Sequence, residues 1–153
     1  MKELEEKAYI FGTIFTLSNR LQSLGDRLDA KLTVKQWLFL AGMLRSGNSA
    51  PTLSQIALRT GSSRQNVKKM ALILEKQGFV SLVKDARDGR ALRVALTESC
   101  RAHLKEREET ELRFIEEVFS DFEPEDLAAL SQAMKRLEKN VGKIGRWVEA
   151  KED

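Results

Sequence analysis

Four charged residues on one short turn are the first candidates for chemistry. The stretch "VKDARDGRAL", residues 83–92, holds Asp85, Arg87, Asp88 and Arg90 between two apolar runs. Asp88-Gly89 is a strong hairpin signal, so the pattern predicts strands over 79–84 and 90–96 with a charged tip. A hairpin is a thin, stiff mount. It can set Arg87 or Arg90 into a narrow minor groove, where the negative potential of a duplex is concentrated. Asp85 and Asp88 have the wrong sign for phosphate, and their expected work is intramolecular: each orients an arginine fork through a bidentate pair. The plain alternative is a tip that is charged only because it is exposed.

A second set of residues lies just upstream, in "SSRQNVKKMALILEKQGF", residues 62–79. At about 100° per residue, Val67, Met70, Ala71 and Leu74 share one face of a helix. Gln65, Lys69 and Lys76 fall opposite, flanked by Lys68 and Ser62. A polar N-terminal half of this kind suits the major groove, where glutamine pairs with adenine and lysine or arginine with guanine. Ser62, Arg64, Gln65, Asn66, Lys68 and Lys69 are therefore the candidate contacts. Gln65 has a competing assignment, closing a capping box with Ser62. Arg64 lies nearer the buried edge and suits a phosphate contact or an internal salt bridge as well as a base. Leu72 and Ile73 lie off the core face with no assigned partner.

Other reactive chemistry is sparse. Cys100 and His103 stand three residues apart, but two ligands do not make a zinc site. Cys100 falls in the first turn of a helix, a position that by itself lowers a thiol pKa. The acidic run Glu106 to Glu111 reads as a solvated helix face. The sequence carries no phosphate loop, dinucleotide-binding glycine motif, G-x-S-x-G or HExxH. No enzymatic activity, metal or cofactor is expected.

The elements that must position these residues follow from periodicity and caps. With 153 residues, 42% hydrophobic and 32% charged, the chain reads as one globular domain. It has no apolar run long enough to span a membrane, an acidic N-terminal stretch and a single cysteine, which together give a cytoplasmic expectation. Residues 52–96 carry nine basic and three acidic side chains, against ten and fifteen in residues 97–153. A basic middle segment implies a polyanionic partner. Helices are expected over 3–29, 34–46, 53–60, 63–77 and 98–120, with a last helix from Pro124. Thr33 and Thr52 open capping-box patterns with Gln36 and Gln55. Ser46-Gly47-Asn48-Ser49 and Pro51 end the second helix. The last helix repeats Leu127, Leu130, Met134, Leu137, Val141, Ile144 and Val148.

The expected fold class is mostly α with a small β-hairpin wing: a winged helix-turn-helix with long terminal dimerisation helices. The terminal helices are too extended to bury their stripes on so small a head, and pairing with a second copy would cover them.

The segment "GFVSLVKDARDGRALRVALTE", following a helix-turn-helix over 52–77, resembles the multiple-antibiotic-resistance regulator (MarR) family. The resemblance rests on Asp85-Ala86-Arg87-Asp88-Gly89-Arg90 as a D-x-R-x-x-R wing, on Leu96-Thr97 after it and on "LEKQGFV" before it, and it extends over about 8–145. It implies a single domain, 1–153, with a DNA-binding lobe at 33–97 and a helical dimerisation lobe built from 1–30 and 98–153. It also implies a homodimeric transcription regulator, most often a repressor, on a pseudo-palindromic operator of double-stranded DNA. Many such proteins release DNA when a small aromatic or phenolic effector binds near the junction of the lobes. Carried onto this chain, Phe11, Phe15, Trp37 and Phe39 are the aromatics nearby. A winged-helix module for protein contacts and a non-specific architectural DNA binder are the alternative readings.

Overall fold

The computed structural model describes residues 1–152 other than Ser46, Asn48 and Ser49; the side chains of Glu149 and Glu152 are likewise left aside. Apart from Gly47, the turn expected at Ser46-Gly47-Asn48-Ser49 lies outside the described residues. The element order is α1 (Lys2–Asp26), α2 (Val34–Leu44), α3 (Leu53–Thr60), α4 (Arg64–Lys76), β1 (Val80–Lys84), β2 (Leu92–Leu96), α5 (Glu98–Val118) and α6 (Pro124–Glu152). It is the expected mostly helical arrangement with one hairpin. The contacts divide it into two units, Met1–Thr110 and Glu111–Asp153.

Local chemistry sets the boundaries in the first unit. The Thr33 hydroxyl accepts the Gln36 N–H, and the Gln36 side chain accepts the Thr33 N–H, so both halves of the capping box are made. Thr52 and Gln55 do the same for α3. Asp26, the last residue of α1, turns back to accept the Val34 N–H at 2.7 Å and so binds the end of one helix to the start of the next. α1 stops there, three residues short of the expected end, and Asp29 lies beyond it.

Two glycines make the turns around α4. Gly61 (φ 67°) and Gly78 (φ 78°) take the left-handed conformation that a side chain disfavours. After α4 the Gly78 N–H reaches the Glu75 carbonyl and the Phe79 N–H reaches the Leu74 carbonyl, the two bonds of a Schellman cap. That cap delivers the chain directly into the hairpin. β1 and β2 pair antiparallel from Val80↔Leu96 to Lys84↔Leu92.

The core of this unit is small and continuous. Phe39, Leu40 and Met43 of α2, Ile56 and Ala57 of α3, Val67, Ala71 and Leu74 of α4, and Val80 and Val94 of the hairpin are buried together. Every element that carries a candidate contact is thus seated on the same apolar cluster.

In the second unit α6 buries none of its described residues. Leu127, Leu130, Met134, Leu137, Val141, Ile144 and Val148 are all exposed, at spacings that alternate between three and four.

Candidate nucleic-acid interface

The tip of the hairpin is built by its own aspartates. The Asp85 N–H bonds to the Ala91 carbonyl and the Ala91 N–H to the Asp88 carbonyl, which closes the loop beyond Lys84↔Leu92. Asp85 Oδ1 accepts the backbone N–H of Arg87 at 2.8 Å, and Asp88 Oδ1 accepts that of Arg90 at 3.0 Å. The carboxylates therefore fix the arginine backbones, and Arg87 and Arg90 themselves are exposed. The guanidinium that Asp85 does hold belongs to Arg93. Its Nε lies 3.0 Å and its second terminal nitrogen 2.8 Å from Asp85 Oδ2. The Arg87 N–H, with Arg93 adding to it, holds the Asp85 carboxyl below the usual carboxylate range.

Arg93 also reaches out of the wing. Its remaining terminal nitrogen donates to the Ala50 carbonyl at 2.6 Å, the Val94 N–H donates to the Pro51 carbonyl, and Thr52 bridges to Arg93. The segment that enters α3 is thereby fastened to the second strand of the wing. Arg93 was not singled out from the sequence. Its position opposite Val83 and its partners 8 and 43 residues away are products of register and tertiary contact.

α4 begins one residue later than the Ser62 box predicts. Ser63 is the cap, and its hydroxyl accepts the Asn66 N–H at 3.1 Å. Gln65 has no part in that cap and is exposed. Ser62, Arg64, Asn66, Lys68 and Lys69 are also exposed, as are Arg87 and Arg90. Among the described residues none of Arg64, Lys68, Lys69, Arg87 and Arg90 is in an ion pair. Two neighbouring elements thus present uncommitted cationic side chains, while both wing carboxylates are occupied internally.

The four aromatics tied to an effector are split. Phe11 and Phe15 pack edge to face on α1 and are exposed. Trp37 packs against the core, and Phe39 is part of it. Phe39 also lines an open groove of about 490 Å³ between α2 and α4, with Lys35, Leu38, Lys69 and Ile73.

Cys100 and His103, which the sequence leaves as ordinary residues at a helix start, sit in different surroundings. Cys100 is buried, and burial pushes its thiol pKa up, outweighing the nearby Arg101 charge. A buried thiol of this kind is unreactive. His103 joins a polar cluster that sequence reasoning missed. Its Nε2 lies 2.7 Å from Asp29 Oδ2, which also receives Arg107 at 3.1 Å. The ring stacks on Phe79 at 5.3 Å. Among the described residues no group of three potential ligands could hold a metal ion, and no helix is long and apolar enough to cross a membrane.

The helix-turn-helix of α3 and α4 with the hairpin behind it defines a winged helix-turn-helix protein. Residues 30–91 match the family model described as MarR family. The fold is shared with solved structures over most of the chain. A MarR protein from Peptoclostridium difficile is similar at 24% identity over 87% of each chain, with a TM-score of 0.77. A MarR/EmrR family transcriptional regulator from Acinetobacter sp. ADP1 is similar at 16% identity over 90% of this chain and 97% of that one, with a TM-score of 0.78. BpsR from Bordetella bronchiseptica is similar at 19% identity over 84% and 91%, with a TM-score of 0.72. No curated protein matches the sequence.

Proposed function

We propose that this protein is a sequence-specific DNA-binding transcription regulator that acts as a homodimer on an inverted-repeat site. The observation that carries the reading is the pairing of uncommitted cations on α4 and the wing with wing carboxylates that are turned inward. α4 enters the major groove through Gln65, Asn66, Lys68 and Lys69, with Ser62 and Arg64 at its start on the backbone. The wing lays Arg87 and Arg90 along the adjacent minor groove, with Asp85 and Asp88 fixing the loop that carries them. Residues 33–97 form the DNA-binding lobe, and 1–30 with 98–153 form the dimerisation lobe. The exposed seven-residue stripe of α6 supports the dimer, since its spacing is that of a helix seam.

Arg90→Ala is expected to weaken binding to the preferred duplex by about tenfold or more, with the unfolding midpoint unchanged, because the side chain makes no hydrogen bond or ion pair among the described residues. Titration of a labelled duplex beside thermal melting checks both halves. Unchanged affinity would take the wing out of the mechanism.

Gln65→Ala gives a sharper expectation. Ser63 and Asn66 make the cap, so stability should be retained. A lost bidentate base contact should cost about 1–3 kcal/mol of discrimination at one position in each half-site. A variant that loses thermal stability with its base preference intact would return Gln65 to a structural role.

The proposal extends to release by a small aromatic or phenolic effector. DNA binding by the structurally similar BpsR is regulated by 6-hydroxynicotinic acid. In this chain Phe11, Phe15, Trp37 and Phe39 are the candidate contacts, and Phe39 already lines the groove between α2 and α4. By linkage, an effector that weakens DNA binding must itself bind the DNA complex less well.

A further inference from the structure

Leu72 lies on the outward side of α4, away from the buried residues of the helix. At about 100° per residue it points within about 20° of Gln65 and within about 60° of Lys69 and Lys76. Val67, Ala71 and Leu74, the buried residues of the helix, lie on the other side. Leu72 remains 49% exposed. The acid nearest this face is turned away from it, since a Glu75 carboxylate oxygen accepts the Leu82 N–H of β1 at 3.1 Å. The face therefore reads Gln65, Lys68, Lys69, Leu72, Lys76: polar and mostly cationic around the apolar patch of Leu72, with Ile73, also 49% exposed, to one side where it lines the groove toward α2.

A second copy of this face is a poor occupant for that patch, because it would set lysines against lysines. The charge calls for a polyanion, and the patch calls for something apolar on it. On the major-groove edges of the four bases, the C5-methyl of thymine is the one apolar group. Resting on the DNA-binding reading above, we infer that Leu72 is a specificity-determining residue whose methyl groups pack on a thymine methyl. The helix rises about 1.5 Å per residue, which places Leu72 about 10 Å beyond Gln65 along the axis. The thymine it reads lies two to three base steps, at about 3.4 Å each, from the base opposite Gln65.

The test uses the full-length protein and the duplex that it enriches from a random library. Each thymine of one half-site is replaced in turn by deoxyuridine, which removes the methyl group and leaves every hydrogen-bonding group in place. The expected result is a loss of about fourfold at one position, the worth of one buried methylene-sized group. Leu72→Ala, which removes no core contact, should fold normally and show no further loss at that position. Deoxyuridine tolerated at every thymine, or an equal loss with Leu72→Ala, overturns the assignment and leaves DNA binding standing. Failure to enrich any duplex removes the DNA-binding reading and this assignment with it.

Discussion

Asp29→Ala is expected to lower the unfolding free energy by about 2–4 kcal/mol. The carboxylate is the shared acceptor of a non-local cluster. Oδ1 takes the Lys31 N–H at 2.8 Å, while Oδ2 takes His103 and Arg107 from α5. The side chains of Asp29, His103 and Arg107 are 10%, 13% and 15% exposed, so solvent does little to screen them. Removing the carboxylate leaves a histidine with no acceptor for Nε2, in a ring whose Nδ1 has no hydrogen bond among the described residues and only the Glu106 carboxylate 4.0 Å away. It also frees the segment after α1 from α5 and from the Phe79 stack at the base of the wing. The pH dependence has a definite sign. Burial alone would raise the Asp29 pKa, but the Lys31 N–H, His103 and Arg107 together hold it below its ordinary value of 3.8. A carboxyl depressed in the folded state contributes stability above its unfolded pKa and loses it as pH falls through the folded one. Urea unfolding of the wild type should therefore weaken as pH falls below the ordinary carboxylate range, and the alanine variant should lack that component. Equal stability of the two proteins at neutral pH would show that the cluster holds nothing together.

The second large effect concerns assembly. Leu130→Glu combined with Leu137→Glu should convert a dimer to a monomer and reduce affinity for an inverted-repeat duplex by about a hundredfold or more. The α6 stripe has the three-four alternation of a coiled-coil seam, and the two leucines fall a heptad apart on it. In the single chain both are exposed, so the substitutions remove little from the fold of one copy. Across a seam they would bury like charges against each other. Sedimentation equilibrium gives the mass, and circular dichroism verifies that helix content is kept. A protein that stays dimeric with four added charges in its seam would move the interface elsewhere.

The sequence was most readable where the determining interactions are local. The Thr33 and Thr52 boxes, the Gly78 cap and the hairpin signal at Asp88-Gly89 each involve a few consecutive residues, and each appears as read. The choice between Ser62 and Ser63 was finer, because two adjacent serines offer the same chemistry and the cap falls on the second. Partners distant in sequence were illegible. Asp85 was matched with the arginines beside it, whereas its fork comes from Arg93 across the hairpin. His103 looked unremarkable because Asp29 stands 74 positions away. Cys100 was judged from its place in a helix, and the surrounding core that raises its pKa came from other elements. The exposed cations of α4 and the wing were legible because an amphipathic pattern states directly which face is left outside.

Selection from a random duplex library with the purified protein tests most directly whether the two heads of a dimer read base sequence. Enrichment of an inverted repeat, with half-sites centred about one helical turn apart, is the expected result. Salt-sensitive binding without any enriched sequence would contradict it and indicate an architectural DNA binder. Absence of binding at low salt would contradict it more deeply and leave the winged helix as a surface for protein contacts.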